Sequence, residues 1–192
     1  MDFKKDIIRK NILAIRNLID ENEQINKSKE IFNTVTGLIE YSNCKTIMCY
    51  VDFRGEVITK DIINLSLKLN KTVCVPKVYK DMGGNQEILA SIIKDPEIEL
   101  SKGKFGILEP SAEYLRRIDA EEIDMVIVPG IAFDTRRNRI GFGAGFYDKF
   151  FKRVRSNCFK AALAYEFQIV EEIPADSFDI PMDLIITEER KI

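Results

Sequence analysis

The chain has 192 residues, 45% of them hydrophobic, with 29 basic and 31 acidic side chains and a formal net charge of −2. That length supports a substantial core, and the near balance of charge argues against broad electrostatic capture of nucleic acid. No apolar run approaches the roughly 20 residues that span a bilayer, and the N-terminus lacks the apolar stretch and small-residue cleavage site of a signal peptide. Histidine is absent, which excludes Ser-His-Asp and Cys-His machinery and any histidine-ligated zinc. Chemistry falls to carboxylates, lysine, arginine, hydroxyls, backbone amides or a bound group. The expectation is a soluble, cytoplasmic, monomeric protein of one domain over 1–192 that acts on small molecules, with neither nucleic acid nor a membrane as partner.

In chain order, residues 3–20 place apolar side chains at helical spacing. The polar run Glu21 to Lys29 is expected to interrupt that helix, before a second helical pattern through Ile31, Phe32, Val35, Leu38 and Ile39. Thr46 to Val51 reads as a buried strand, Asp52 to Glu56 as a loop, and Thr59 as the cap of a helix reaching Leu69. Thr72 to Val75 is a second strand, ended by Pro76, and 79–87 an exposed turn before a strand at Ile88 to Ile93. Residues 94–118 read mostly as loop, with Asp119 and Glu122 as a capping box ahead of a strand at 125–128. A helix from Tyr147 to Val154 and strands at Phe159 to Ala164 and Leu184 to Thr187 complete an alternation that implies an α/β fold with a largely parallel sheet. The cysteines at 44, 49, 74 and 158 form no CxxC pair, and Cys49 and Cys74 lie in apolar runs as core residues.

The most informative segment is 124–148. The apolar strand ends at Pro129-Gly130, and glycines follow at 141, 143 and 145 between Arg139 and Asp148. This is neither GxxxxGK[ST] nor GxGxxG, so the glycines alone fit a plain turn out of the sheet as well as a phosphate loop. Glycine lets a backbone approach an anion closely. Arginine offers a donor fork to phosphate, and an aspartate can share a magnesium ion with substrate phosphates. The position after a strand is where open α/β sheets bind ligands. Lys5 and Arg9 share a helical face, Glu56 stands in the loop after the first strand, and Asp183 precedes the last. Each alone is more usually a surface charge or a turn former.

Taken together, these residues resemble the 5-formyltetrahydrofolate cyclo-ligase family. The segment Pro-Gly-Ile-Ala-Phe-Asp, followed by Asn-Arg-Ile-Gly-Phe-Gly-Ala-Gly-Phe-Tyr-Asp, is similar to the family signature. Lys5 with Arg9, Glu56-Val57 with Thr59, Pro76, residues 106–110, Ala164-Tyr165-Glu166 with Gln168, and Asp183 fall in the family's order. The resemblance implies a three-layer α/β/α fold, Rossmann-like and of the NagB/RpiA/CoA-transferase kind. It implies a ligase that closes 5-formyltetrahydrofolate to 5,10-methenyltetrahydrofolate with ATP as co-substrate and Mg²⁺ as cofactor. Carried onto matching positions, ATP would meet Lys4, Lys5, Arg9, Arg139, Ile140, Gly141, Phe142, Gly143, Ala144, Gly145, Phe146 and Tyr147, with Arg139, Lys5 and Arg9 catalytic. Folate would meet Val51, Glu56 and residues 142–146, and Asp148 and Asp183 would hold the metal. The chain departs from the family pattern at Arg137, where glycine is usual, so the turn there must change conformation or tolerate strain. It also departs at Ala144, at Phe146 beside Tyr147 in place of two tyrosines, and at Gln86-Glu87. Two other readings stay open: a folate- or nucleotide-binding regulator without catalysis, and a sugar-phosphate or CoA-handling enzyme of related topology.

Overall fold

The computed structural model describes residues 3–192 except 81, 82, 85, 104, 105, 175, 177 and 178. Three helices open the chain: α1 (Phe3–Arg16), α2 (Glu21–Thr36) and α3 (Ile39–Asn43). Strand β1 (Thr46–Cys49), helix α4 (Lys60–Lys68) and strand β2 (Thr72–Lys80) form a parallel crossover unit, and β3 (Gln86–Ile93) returns antiparallel to β2. Short pieces come next: α5 (Pro96–Glu99), β4 (Leu100–Lys102), β5 (Leu108–Pro110) and β6 (Arg117–Ile118). The C-terminal part holds β7 (Met125–Val128), β8 (Ala132–Asp134), β9 (Arg139–Ile140), α6 (Phe146–Phe151), β10 (Phe159–Leu163), β11 (Ile169–Val170) and β12 (Leu184–Ile186).

The main sheet has the order β12-β10-β7-β1-β2-β3-β6, parallel from β12 to β2 and antiparallel beyond it. Its strands are apolar on both faces because both faces are covered. Ile47, Cys49, Met125, Ile127, Ala161 and Leu163 pack with α2, α3 and α4, whereas the alternating Met48, Val126, Val128 and Ala162 pack with Phe150 and Phe151 of α6. That alternation makes the three layers. A third cluster joins Ile12 of α1 to Ile131, Ala132 and Ile140, so α1 lies against the β8–β9 hairpin. All the cysteines are free and buried. Among the described residues no helix is long and apolar enough to cross a membrane.

Several local expectations need correction. The run Glu21 to Lys29 does not interrupt a helix but begins α2, with the Asp20 side chain accepting from Glu23 N at 2.9 Å and the polar residues forming its outer face around buried Ser28, Ile31 and Val35. Strand β2 passes through Pro76, because β1 pairs only as far as Cys74 and the missing N–H falls beyond that ladder. The expected turn at 79–87 is shorter than read, since 79, 80, 86 and 87 belong to β2 and β3, with Lys80 opposite Gln86, and the turn is described at 83 and 84. Its residues 81, 82 and 85 lie outside the described residues, as do 104 and 105 of the expected loop. Within 94–118, Asp95 caps α5 by accepting from Glu97 N at 3.0 Å, and β4 pairs with β5. Asp119 makes no side-chain cap bond; Ala120–Glu122 is a single 3₁₀ turn.

Gly130, at the exit of β7, shows how tightly this face is packed. A Cβ there would stand 2.3 Å from the Phe133 ring, which is fully buried. Gly130→Ala is expected to cost about 1–3 kcal/mol through overpacking and to lower the melting temperature by ~3–10 °C, as read by calorimetric or circular-dichroism melts. An unchanged melting point would show that Phe133 can move aside.

Candidate active site

In a parallel sheet, the loops after the strands gather at one edge and the loops before them at the other. The loops after β1, β7 and β10 carry Glu56, the glycine segment and Tyr165 to the carboxyl edge. Glu56 is held there by its backbone, since its carbonyl accepts from Gln24 Nε2 at 2.8 Å and from Tyr165 Oη at 3.1 Å. Ser28 reaches the same network, within 3.2 Å of Tyr165 Oη and accepting from Ile58 N at 3.0 Å. Gln168 ties the β7 exit to the β10 exit, donating to the carbonyls of Gly130 and Ile131 at 3.0 and 2.9 Å and accepting from Tyr165 N at 2.8 Å.

The glycine segment then turns back over this edge. Gly143 and Gly145 have φ of 96° and 64°, a left-handed region that favours glycine. At Gly141 a Cβ would lie 2.8 Å from an Arg139 guanidinium nitrogen, so any side chain there would displace that guanidinium. Arg137 also keeps a left-handed φ of 67°, so the turn tolerates strain in place of the usual glycine. Its carbonyl accepts from Met182 N at 3.0 Å and its Nη1 donates to the Asp183 carbonyl at 2.9 Å, bonds that offset roughly 1–2 kcal/mol of strain.

Arg139 is 6% exposed and donates from Nη2 to both oxygens of Asp148 at 3.2 and 3.1 Å, with its guanidinium 5.5 Å from the Tyr147 ring centre. Arg9 donates to the Gly141 carbonyl at 3.0 Å and pairs with Asp6, and a Cβ on Gly143 would stand 3.7 Å from its Nη2. Lys5 is spoken for by Asp176 and Asp179, each at 2.7 Å. Burial alone would lower the ammonium's pKa, but those two carboxylates together raise it. Lys4 borders a separate surface groove with Ile7, Ile8, Glu172 and Pro174. Val51 packs at the rim of the main core, and Phe142 is exposed.

The two expected metal carboxylates have separate partners. Asp148 faces Arg139, whereas Asp183, preceding β12, stands at the amino edge of the strands. There it accepts from Lys160 N and pairs with Lys160 Nζ, both at 2.7 Å. Among the described residues no group of three or more acidic or cysteine side chains is placed to hold a metal ion.

Glu56 is buried, and burial pushes its carboxyl up to about 7 despite the opposing charge of Arg16 and the Phe53 N–H that donates to it at 3.1 Å. Arg16 is the residue that sequence reasoning missed. It follows Lys5, Arg9 and Ile12 on one face of α1 at positions 5, 9, 12 and 16. The available signal was a charge one turn beyond Ile12 on the stripe meant to be buried. Among the described residues, the buried side-chain atoms without a hydrogen-bond partner are Arg16 Nε and Nη1, Arg139 Nε and the Tyr147 hydroxyl. Arg16 faces Glu56 and Phe142, Tyr147 packs with Arg139, and the Glu56 charge acts on the Tyr147 hydroxyl. The unsatisfied atoms thus gather at one place.

A mostly parallel α/β sheet, with a glycine segment, cations and carboxylates at its carboxyl edge, defines the class of α/β proteins whose ligand sites lie beyond the ends of the strands. The family model described as the 5-formyltetrahydrofolate cyclo-ligase family matches residues 2–188. A 5-formyltetrahydrofolate cyclo-ligase of Haemophilus influenzae is 30% identical over 185 residues, covering 95% of this chain and 97% of that protein. The solved structure of the Aquifex aeolicus 5,10-methenyltetrahydrofolate synthetase superposes with a TM-score of 0.83 at 35% identity, over 97% of this chain and 91% of that one. A synthetase of the same description from Mycoplasma pneumoniae gives a TM-score of 0.77 at 25% identity, over 98% and 99%. The chain belongs to the 5-formyltetrahydrofolate cyclo-ligase family, and is an enzyme of that ligase kind.

Proposed function

We propose that this chain converts 5-formyltetrahydrofolate to 5,10-methenyltetrahydrofolate with ATP and Mg²⁺, releasing ADP and phosphate. The gathering of unsatisfied buried donors around Glu56, Phe142 and Asp148 carries this reading. Each such group costs about 1–3 kcal/mol until a ligand satisfies it, so the place is built for a polar guest. The same reading makes the chain a cytoplasmic, single-domain enzyme acting as a monomer on small molecules.

The formyl oxygen of an amide is a poor leaving group. Transfer of the γ-phosphoryl group of ATP to that oxygen, with loss of ADP, makes it a good one. Nitrogen 10 then attacks the formyl carbon and loses its proton, and the carbon–oxygen bond breaks to release phosphate and leave the methenyl bridge. The chain's task is alignment and charge neutralisation. Arg139 and Arg9 lie beside the glycine segment, which supports them as the cations that meet the phosphoryl group; Lys5 joins them on leaving Asp176 and Asp179. The amides of 141–146 line the polyphosphate. Phe142, Val51 and Glu56 face the folate. Tyr147 has its hydroxyl held in the neutral form by burial and remains a donor.

Asp148 fits a magnesium ion, because such a site usually needs only one or two carboxylates beside substrate phosphates. Bound there, Mg²⁺ would neutralise part of the phosphate charge. In that arrangement Asp148 would release Arg139 and leave the guanidinium for phosphate. Asp183 would have to leave Lys160, so we place the metal chiefly on Asp148. Asp148→Asn is expected to raise the magnesium concentration for half-maximal rate by about tenfold or more; an unchanged titration would reduce Asp148 to an anchor for Arg139.

The near-ultraviolet absorbance of methenyltetrahydrofolate, followed with and without ATP and Mg²⁺, tests the whole reading. Product that needs both supports it. Binding of folate without product would instead favour a regulator that kept only the site.

A further inference from the structure

Arg16 is the most deeply buried cation of the site and the least satisfied. Its side chain is 2% exposed, and Nη1 lies 4.0 Å from Glu56 Oε1, beyond hydrogen-bond reach. Nε and Nη1 have no partner, and the Phe142 ring lies 5.9 Å away. Arg116, by contrast, spends its fork on both oxygens of Glu99, at 2.8 and 3.0 Å. Glu56 is half used in the same way, since Oε2 accepts from Phe53 N at 3.1 Å while Oε1 faces Arg16.

Side by side, the pair offers a carboxylate that accepts and a guanidinium that donates. The 2-amino-4-oxo edge of a reduced pterin presents the complement in the same order: the 2-amino and N3 hydrogens donate, and the 4-oxo oxygen accepts. We propose that Arg16 is a specificity-determining residue that donates to the 4-oxo oxygen of the pterin whose N–H groups Glu56 accepts. The proposal rests on the folate reading above and adds to it a residue and a discriminating contact. A 4-amino pteridine would set a donor against the guanidinium and remove the N3 hydrogen from Glu56. Buried groups left unpaired in this way are how sites reject close analogues.

The test is a cycle of binding measurements by calorimetry. Wild type, Arg16→Leu and Arg16→Lys are titrated with 5-formyltetrahydrofolate, with its 4-amino-4-deoxy analogue, and with the β,γ-imido analogue of ATP. Wild type is expected to prefer the 4-oxo ligand by about tenfold to a hundredfold. Arg16→Leu should lose about that factor for the 4-oxo ligand, lose much less for the 4-amino ligand, and bind the ATP analogue within about twofold of wild type; Arg16→Lys should recover part of the loss. Wild type that binds the two pteridines equally overturns the proposal, as does an Arg16→Leu protein that keeps the full preference or weakens both ligands alike. Should Arg16→Leu fail to give a cooperative melt, the two ligands on wild type decide the matter. Wild type that binds neither pteridine overturns the functional reading as well, whereas tight folate binding untouched by Arg16→Leu overturns this proposal alone.

Discussion

Arg139→Ala is expected to lower the single-turnover rate of ring closure by about 10²- to 10⁴-fold, the range seen when one preorganised cation or oxyanion donor is removed. The structure explains why the loss falls on rate. Arg139 is 6% exposed, aligned by Asp148 and by the Tyr147 ring 5.5 Å away, and has a buried Nε with no partner. Once Asp148 turns to the metal, burial and the Tyr147 ring still hold the fork in place before charge develops on the transferring phosphoryl group, and folate contacts lie elsewhere. Folate affinity should change only a few-fold. Arg139→Lys keeps a charge but not the fork and should recover about a tenth of the rate or less. A thermal melt belongs beside the kinetics, because removing Arg139 leaves Asp148 without its partner. A folded Arg139→Ala protein with near wild-type turnover would sink the phosphoryl role.

Glu56→Gln is expected to weaken folate binding by about tenfold to a hundredfold while leaving ATP within about twofold, since it converts a charged acceptor into a neutral amide. The pH dependence comes from the carboxyl held up to about 7 by burial, against the smaller pull of Arg16. Folate that donates N–H groups to Glu56 needs the ionised form, so affinity should fall by up to tenfold per unit as pH drops below about 7, and binding at neutral pH should release protons. Stability runs the other way. The folded-state pKa lies above the unfolded value, so the ligand-free protein holds an extra proton between about 4.5 and 7. The contribution of Glu56 to stability then declines as pH rises through that window. Glu56→Gln should remove that decline, stabilising the empty protein at pH 8 by up to ~3 kcal/mol. Calorimetry that shows equal loss of folate and ATP, or a folate affinity flat from pH 5.5 to 8, would contradict the assignment.

Much of this was legible in the chain. The apolar runs at 46–49, 72–75, 125–128, 159–163 and 184–186 became strands of one sheet because a strand covered on both faces must be apolar throughout. The order of Gly141, Gly143, Gly145 and Asp148 after such a strand placed the glycine segment at the carboxyl edge. The departures from the local patterns were short. Pro76 reads as a stop unless one knows that β1 ends its pairing at Cys74. Glu21 to Lys29 reads as a break because its polar face hides the capping bond from Asp20. That capping signal was present in the sequence, as Asp20 stands three residues before Glu23.

Periodicity, residue type and local order were enough for an α/β fold with a largely parallel sheet, for the absence of histidine chemistry, and for the family resemblance that implied the three layers. Which charges meet was left to the tertiary structure. It set Asp183 beside Lys160 at the amino edge and Asp148 beside Arg139. It kept the left-handed turn at Arg137, and it brought Arg16 within 4.0 Å of a Glu56 forty residues further along the chain. Local patterns fix the conformation of a segment, but the partner of a buried charge lies on another segment. That choice is made by strand order and by the desolvation cost of leaving the charge unpaired.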